Sequence, residues 1–329
     1  RRANAIAFDI REAGRNIEVN GQKISQPGSL KFVKAIGWYI DEYGVAQISI
    51  NLTNINKTPV HIAFDECCAK ATARGIRVTG SELVGLIPLK AMLDAGKYFL
   101  QKQQRSIGVS ENELIKIAVK SLGLDELTPF NSQERIIEYL LADLADSKLV
   151  NMKLNAFADE TASESPAPGG GSIAAYVGAL GASLATMVAN LSSHKKGWDE
   201  RWEEFSNWAA KGQQVKDELI KLVDADTAAF NKIMEAFALP KTTDEEKVKR
   251  TNRIQEATKN AIEIPFKVMQ TAAAAMPIVQ AMATIGNPNS VSDAGVAALC
   301  IRSAVMGAFM NVRINAGSYN DKNYVTEII

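Results

Sequence analysis

The sequence predicts two domains of different classes, an α+β domain over residues 1–141 and an all-α, up-and-down helical bundle over residues 149–329. Residues 142–148 form the predicted linker. Runs of β-branched and aromatic residues, which favour strands, occur in the first region. From about residue 145 these runs disappear and alanine becomes frequent, which favours helices.

Helix and strand signals in the first domain follow the order α-β-β-α-β. One more strand in front would complete the βαββαβ pattern of a ferredoxin-like fold. We therefore expect a partial ferredoxin-like subdomain whose first strand is missing, in a chain cut at its front. Residues 16–28 have the composition of a loop. The predicted elements are helices at 1–13, 59–74, 88–103, 111–122 and 132–141, a hairpin of strands 32–40 and 45–52, and a short strand at 76–79.

Helical patterns fill the second domain. Thr243 and Glu246 have the spacing of a capping box, and Pro265 is expected to kink or end the helix that follows. Residues 173–191 carry no charge and approach the length of a membrane span, but they lack flanking aromatic anchors. A buried bundle helix is favoured there. The helical segments are 149–163, 173–191, 202–237, 243–264, 271–285 and 292–315, of which 202–237 is one long helix or a broken pair.

Composition excludes several classes of protein. Lys and Arg total 37, as do Asp and Glu, so the net charge is zero and nothing indicates nucleic-acid binding. Cys67, Cys68 and Cys300 are too few for a disulfide framework, which favours a reducing cytoplasm. His61 and His194 are the only histidines and lie far apart in sequence, so no metal site is expected.

The segment Ser165-Pro-Ala-Pro-Gly-Gly-Gly-Ser172 organises the second domain. Its prolines prevent helix formation before Pro168, and its glycines leave the backbone open to a ligand. Ser172 is a candidate N-cap of the apolar helix that follows. Backbone amides and a positive helix end would suit an anionic or carbonyl-rich ligand. The alternative is a linker that only separates two helices.

Two aspartates lie in an otherwise apolar helical segment. Asp224 and Asp226 point about 200° apart on a helix, so they cannot act as a facing pair. Asp226 shares a face with Val223 and Phe230, which makes it the inward carboxylate and Asp224 the solvated one. Burial would raise the pKa of Asp226 and allow proton transfer near neutrality. A salt-bridged surface position for Asp226 is the alternative.

Polar residues of the last apolar helix are further candidates. Ser292 and Asp293 have the pattern of an N-cap followed by an acidic first turn. Asn311 and Asn315 are four residues apart and share one helix face. They line a site or bond across the bundle, and the sequence leaves both readings open.

These motifs resemble those of the bifunctional formimidoyltransferase-cyclodeaminase family of histidine breakdown and one-carbon folate metabolism. Residues 1–141 resemble the C-terminal subdomain of the formimidoyltransferase part, and residues from about 148 onward resemble the cyclodeaminase domain. The first resemblance is carried by residues 35–39, 46–49, 80–90, 129–130 and 134–140. The second is carried by residues 167–172, 223–226, 239–241, 286–287, 292–293 and 311–315.

The resemblance implies a cyclodeaminase that converts 5-formimidoyltetrahydrofolate to 5,10-methenyltetrahydrofolate and releases ammonia. It implies Asp226 as the catalytic residue, tetrahydrofolate derivatives as substrates, no separate cofactor or metal, and a homodimer or larger homo-oligomer. The substrate would be a folate with or without a polyglutamate tail. The implied folate-binding residues are Pro168, Gly169, Gly170, Gly171, Ser172, Asp293, Asn311 and Asn315.

The transferase of this family moves a formimidoyl group from N-formimidoyl-L-glutamate to tetrahydrofolate. Its N-terminal subdomain, with the family's catalytic histidine and a folate-binding loop, is expected to be missing here, and His61 does not match that histidine. We therefore expect no formimidoyl transfer by this chain. Two other functions stay open, a methenyltetrahydrofolate cyclohydrolase and a non-catalytic folate-binding or assembly module.

Overall fold

The computed structural model describes residues 1–20, 22–141 and 148–329. The chain divides into two compact units. Unit 1 comprises Arg1–Gln103 and Ser110–Ala142, and unit 2 comprises Gln104–Val109 and Asp143–Ile329. The predicted linker at 142–148 lies almost wholly outside the described residues, and the predicted domain boundaries stay a prediction.

Unit 1 combines helices with two antiparallel hairpins among its described residues. The predicted hairpin is confirmed as β3 and β4, which pair in register from Val33 with Leu52 to Ile40 with Val45. Ser110 caps its helix as the pattern indicates, accepting a hydrogen bond from the Glu113 backbone N–H. The elements are α1 (Arg2–Ile10), β1 (Arg15–Val19), β2 (Gln22–Gln26), β3 (Val33–Ile40), β4 (Val45–Leu52), α2 (Val60–Thr72), α3 (Leu89–Lys102), α4 (Glu111–Leu122), α5 (Ser132–Arg135) and α6 (Ile137–Leu141).

Three predictions for unit 1 are wrong. The single helix predicted at 132–141 is divided into α5 and α6 at Ile136, which is extended and forms a bridge with Ile87. The expected loop at 16–28 contains the hairpin of β1 and β2, in which Ile17 pairs with Ile24. The segment has a polar, turn-rich composition, which is typical of a loop, and its short strand β2 is exposed. Residues 76–79 form no strand. The described strands therefore make two separate two-stranded sheets, and the ferredoxin-like arrangement is not confirmed.

Close contact between α1 and β3 organises one core of unit 1. Ile6 and Ile10 of α1 pack with Val33 and Ala35 of β3, all of them buried. Gly37 makes this approach possible, because a Cβ there would lie 2.6 Å from the Asn4 Cα. The Gly37 backbone N–H also donates to the Asn4 side chain at 3.2 Å.

Unit 2 is a helical bundle, as predicted. Long helices α8, α9, α10 and α12 pack on one another around small residues. Gly178 of α8, for instance, lies where a Cβ would be 3.1 Å from the Ala304 Cβ of α12. Its elements are α7 (Leu154–Thr161), α8 (Gly170–Ser193), α9 (Trp202–Ala238), α10 (Asp244–Ala273), α11 (Met276–Ile285), α12 (Val291–Ala316) and α13 (Lys322–Ile328).

The structure confirms one end of α10 and corrects its interior. The Thr243 and Glu246 capping box is present. Pro265, however, neither ends nor interrupts the helix, which continues to Ala273. Proline has no N–H to donate to the carbonyl four residues earlier, that of Ala261. The Asn315 side-chain amide of α12 donates to that carbonyl at 2.7 Å instead, which replaces the missing hydrogen bond.

Three helical segments of the described chain are long and apolar enough to cross a membrane, judged by length and composition alone. They are Gly170–Ser193, Asp244–Ile285 and Pro288–Ala316. Within the bundle, 61% of the apolar window of the first is buried, against 33% and 28% for the other two. The first segment, α8, thus has the buried position predicted for a bundle helix.

Candidate active site at the start of helix α8

Helix α8 begins inside the glycine segment rather than after it. Gly169 occupies the N-cap position and Gly170 is the first helical residue. The prediction that Ser172 is the N-cap is therefore wrong. The three glycines adopt ordinary helical or extended backbone angles, so the helix starts three residues earlier than predicted. Ser172 lies in the first turn with its side chain directed towards α9.

Ser172 and Asp226 meet where α8 crosses α9. Ser172 is 0% exposed, and its hydroxyl donates to the Val223 carbonyl at 2.8 Å. The same oxygen lies 3.3 Å from Asp226 Oδ2 and 3.2 Å from Thr227 Oγ1. The structure therefore brings the two residues singled out in the sequence, the loop serine and the second aspartate, into direct contact.

Gly171 lets the Asp226 carboxylate lie directly against the α8 backbone. A Cβ at position 171 would lie 2.5 Å from the Asp226 Cγ and would overlap the carboxylate oxygens. Gly171 is buried, whereas Gly170 is exposed and Gly169 is half-buried. The glycines thus have different roles, since the third makes room for the carboxylate and the first two face outward.

The electrostatic environment of Asp226 favours its protonated form. Burial raises the pKa of Asp226 above its ordinary value, and hydrogen bonds from the Ser172 hydroxyl and backbone N–H lower it in part. No charged group of the described chain contributes to this shift. A partly buried carboxylate whose pKa is raised by desolvation is suited to gaining and losing a proton near neutral pH.

Asp224 has a structural contact that the sequence did not reveal. The prediction that it is the solvated aspartate is wrong, because Oδ1 accepts from the Leu149 N–H at 2.8 Å and Oδ2 from the Val150 N–H at 3.3 Å. It thereby fixes the segment that precedes α7. The opposite directions of Asp224 and Asp226 on α9 agree with the helical geometry.

The two asparagines of α12 have separate functions in the structure. The Asn311 amide donates to the Gly307 carbonyl at 2.9 Å. Its Nδ2 lies 3.4 Å from the position that a Cβ of Gly170 would take, so it borders the start of α8. The Asn315 amide donates to the Ala261 carbonyl of α10, so this residue bonds across the bundle, as one of the two alternatives predicted.

The remaining predicted binding residues are not all brought together. Pro168 is buried beside the loop. Asp293 lies in the first turn of α12, as predicted, but the N-cap position is Ser290 rather than Ser292, which lies inside the helix. It is 18 residues before Asn311, which corresponds to roughly 27 Å along a helix. Within one chain, the structure does not place Asp293 at the glycine segment.

Two features of the site were missed from the sequence. Thr227 adds a hydroxyl next to Ser172, although its place directly after Asp226 was visible. An aromatic pair, Phe157 and Tyr176, packs on the same core as Ala225, with ring centroids 5.4 Å apart. Tyr176 is one helical turn beyond Ser172, so the i, i+4 spacing could have identified it.

Candidate metal ligands do not cluster in the described part of the chain. Among residues 1–20, 22–141 and 148–329, no group of three or more His, Cys, Asp or Glu side chains could hold an ion. His61 is buried in unit 1, where its ring stacks on Tyr98 with centroids 4.5 Å apart.

Comparison with protein-family models gives two matches. Residues 153–329 match the model described as formiminotransferase-cyclodeaminase, and residues 1–142 match the model described as formiminotransferase domain. The second match shows that the prediction of a missing N-terminal transferase subdomain is wrong. The absence of formimidoyl transfer expected from it no longer follows.

Known proteins resemble the chain over different lengths. A formimidoyltransferase-cyclodeaminase of Gallus gallus is 41% identical over 99% of this chain, which spans 59% of that protein. A methenyltetrahydrofolate cyclohydrolase of Methylorubrum extorquens is 37% identical over 54% of this chain and 85% of its own length. A solved formiminotetrahydrofolate cyclodeaminase of Thermotoga maritima has a TM-score of 0.49 at 28% identity, over 55% of this chain and 86% of that chain.

The chain thus spans a little under three-fifths of the bifunctional relative, while the match to the cyclohydrolase relative extends over 54% of this chain. The family model alone covers more than half of the chain, over the residues that contain the Ser172 and Asp226 contact. This protein belongs to the formiminotransferase-cyclodeaminase family.

Proposed function

We propose that residues 153–329 convert 5-formimidoyltetrahydrofolate to 5,10-methenyltetrahydrofolate with release of ammonia. Membership of the family and the name of the 41% identical relative support this reaction. The observation that carries the proposal is the half-buried Asp226 carboxylate, which lies against the first turn of α8 and has a raised pKa to which no charged group of the described residues contributes. Such a group is equipped to move protons, which is what the reaction requires.

The chemistry needs positioning and proton transfer. N10 of the folate attacks the amidine carbon on N5, the ring closes, and the exocyclic nitrogen leaves as ammonia. Since both reacting groups belong to one molecule, holding the folate bent can contribute about 7–11 kcal/mol. We propose that Asp226 takes the N10 proton and delivers a proton to the leaving nitrogen, an effect of about 10²–10⁴-fold. Its ionised form would also stabilise the cationic product.

No separate cofactor enters this proposal, because the folate supplies both the nucleophile and the electrophile. The backbone amides at Gly169 and Gly170, together with the Asn311 side chain, are proposed to bind the folate. Their exposure and the positive end of α8 support this. Pro168, Gly171 and Ser172 are buried, and we propose that they shape the site rather than contact the ligand. Asp293 could contribute only from a neighbouring subunit.

A second candidate function is hydrolysis of 5,10-methenyltetrahydrofolate. The 37% identity to a protein named as its cyclohydrolase, over 54% of this chain, favours it. A third is a folate-binding or assembly module without catalysis. The distinction between the first two is chemical, because only the cyclodeaminase reaction releases ammonia.

One assay with two substrates tests these alternatives. The purified chain is incubated with 5-formimidoyltetrahydrofolate and, separately, with 5,10-methenyltetrahydrofolate, while ammonia and the absorbance of the methenyl product are followed. Ammonia release from the first substrate supports the cyclodeaminase. Consumption of the second without ammonia release from the first would favour the cyclohydrolase. No change in either would leave only the binding module.

For unit 1 we propose a part of a glutamate formimidoyltransferase, which in the complete protein moves a formimidoyl group from N-formimidoyl-L-glutamate to tetrahydrofolate. The match of residues 1–142 to the formiminotransferase domain supports this. We also propose that unit 1 is a partial ferredoxin-like subdomain, supported by α1 packing on the β3–β4 hairpin. The three free cysteines support a cytoplasmic location.

A homo-oligomer is the proposed assembly, and one surface of unit 2 supports it. The face of α12 opposite its buried residues exposes apolar side chains at spacings of three and four residues. They include Val296, Leu299, Met306, Met310 and Ile314, which is 75% exposed. Light scattering should give a multiple of the 35.6 kDa chain mass, and a charge at Leu299 or Met310 should lower it. A monomeric native protein would contradict the proposal. No membrane or nucleic-acid partner is proposed.

A further inference from the structure

Three side-chain oxygen atoms form a row beside the first turn of α8. The Ser172 Oγ lies in the middle, 3.2 Å from Thr227 Oγ1 and 3.3 Å from Asp226 Oδ2. We propose that Ser172 and Thr227 are positioning residues for Asp226. Their hydroxyls form a hydrogen-bonded chain that runs from Thr227 through Ser172 to the Asp226 carboxylate. This inference rests on the proposed acid/base role of Asp226.

The Ser172 hydroxyl has one proton and three neighbours that can use it or supply one. Its closest acceptor is the Val223 carbonyl at 2.8 Å. Because Ser172 is 0% exposed, the three protein groups are its partners rather than bulk water. A hydroxyl donates one hydrogen bond and accepts two, so its orientation must depend on what Asp226 offers.

Two orientations satisfy the row, one for each state of Asp226. When the carboxyl is protonated, it donates to Ser172 Oγ, and the serine donates to the Val223 carbonyl. When the carboxyl is ionised, the Ser172 hydroxyl turns to Asp226 Oδ2 and accepts from Thr227. The Val223 carbonyl keeps its helical partner, the Thr227 backbone N–H, in both states. Neither state leaves a buried polar atom unpaired.

This adaptability is useful to a group that gains and loses a proton in every turnover. A buried carboxylate is destabilised unless donors face it, and a buried acid proton needs an acceptor. The Ser172 backbone N–H can only donate, and it stabilises the ionised form more than the protonated one. The hydroxyl serves both forms, and donation from Thr227 strengthens the bond that Ser172 makes to the carboxylate.

Binding of substrate by the Ser172 hydroxyl would require an exposed atom. The side chain is buried behind Asp226 and Gly171, with its oxygen engaged by α9. The contacts therefore assign Ser172 a role that acts through Asp226. Thr227 of α9 also contacts the Ser172 hydroxyl and is the second member of the hydroxyl chain. It was not among the residues predicted from sequence.

The test is a titration of the Asp226 carboxyl in the ligand-free protein, monitored by infrared difference spectroscopy. The band is assigned by its loss in Asp226→Asn. Ser172→Ala should raise the midpoint by about one pH unit, because the ionised form loses a donor. Thr227→Val, which keeps the side-chain shape, should raise it by about half as much. Thr227→Ser, which keeps the hydroxyl, should return it to the native value.

Ser183→Ala is the matched control. Ser183 lies in the same helix, but its hydroxyl donates only to the Ala179 carbonyl, so the midpoint should not move. An unchanged midpoint in Ser172→Ala, or equal midpoints in Thr227→Val and Thr227→Ser, would overturn the hydroxyl chain. If Ser172→Ala does not fold, the threonine pair decides.

Because no substrate is present, this result is independent of the proposed reaction. If the native protein shows no turnover but the midpoints of the variants shift as expected, the cyclodeaminase is refuted and the hydroxyl chain is supported. If the native protein shows turnover but the midpoints do not shift, the hydroxyl chain is refuted and the cyclodeaminase is supported. The pH profile of turnover supplies a second reading, since its acidic limb should move with the Asp226 midpoint in each variant.

Discussion

Two partly buried polar clusters lie near opposite ends of α8, and one difference between them is the presence of an ionisable group. At the start, Ser172 and Thr227 surround the ionisable Asp226. At the end, the Asn190 amide donates to the Gly108 carbonyl at 2.8 Å and accepts from the Ser106 hydroxyl at 2.7 Å. Both connect α8 to neighbouring backbone through hydroxyls and amides, but only the first contains a group that titrates.

The second cluster has a complete structural explanation. The segment Gln104–Val109 belongs to unit 2, and its polar backbone needs partners where it is buried. Asn190, Gln213 and Ser206 supply them. Gly108 approaches α9 so closely that a Cβ would lie 2.7 Å from the Ala210 N. The first cluster has no such backbone to satisfy, and its glycine makes room for a carboxylate.

The largest expected effect comes from closing the space at the first cluster. Gly171→Ala puts a methyl group where the Asp226 carboxylate lies, which displaces it. We expect turnover to fall by at least about 10²-fold, since misplacement by about 1 Å can have that effect. Gly295→Ala is the control, because nothing lies within 4 Å of its Cβ position in α12. It should be active and more stable by about 0.5–1 kcal/mol. Equal turnover in both variants would contradict the close contact.

The second cluster should respond through stability alone. Asn190→Ala removes the acceptor of the buried Ser106 hydroxyl and one of the two side-chain amides that donate to the Gly108 carbonyl, the other being that of Gln213. The free energy of unfolding should fall by about 1–3 kcal/mol in denaturant titrations. Turnover per folded molecule and its pH profile should stay native. A shifted profile would mean that the two ends of α8 are not independent.

A pH-dependent stability difference should mark the first cluster. Because burial raises the folded-state pKa of Asp226, the native state binds more protons than the unfolded state, and stability falls as pH rises through that window. Asp226→Asn removes this penalty and should be more stable than native at neutral pH. The difference should vanish towards the ordinary Asp pKa of about 3.9. A constant difference across pH would contradict the raised pKa.

The smallest effect concerns Asn315, which has the sequence pattern of a site residue and the contacts of a structural one. Asn315→Ala should lower stability by about 1 kcal/mol, because the Ala261 carbonyl loses its partner. In a Pro265→Ala background the helix regains its own N–H, and the Asn315 substitution should then have little effect. A double-mutant cycle measures this coupling. Additive effects would contradict the repair of the helix by Asn315.

These residues also show how far the sequence could be used. Helix periodicity predicted α9 and the inward face of Asp226, and the capping box predicted the start of α10. These features depend on local spacing. Other features depend on tertiary packing between helices that are distant in sequence. These are the contact of Asp226 with Ser172 of α8, the space that Gly171 leaves for the carboxylate, and the hydrogen bond from Asn315 to the Ala261 carbonyl.

Three predictions based on local sequence patterns are wrong, because the pattern does not contain the contacts that the folded chain makes. Ser172 was the expected N-cap because serine commonly caps helices, but the helix begins earlier and buries it. Pro265 was expected to kink or end α10, but the helix continues to Ala273, and a side chain 50 residues later replaces the lost hydrogen bond. The β1–β2 hairpin carries few apolar residues and little burial, so its composition matched a loop.

The most direct measurement is turnover of 5-formimidoyltetrahydrofolate by Asp226→Asn, with Asp224→Asn as the matched control. Asp224→Asn keeps an oxygen that can accept from the Leu149 N–H, and it should retain activity. Ammonia release by Asp226→Asn at saturating substrate should fall about 10²–10⁴-fold, while folate affinity changes by no more than about twofold. Native turnover in Asp226→Asn, or an equal loss in both variants, would contradict the assignment of Asp226 as the acid/base group.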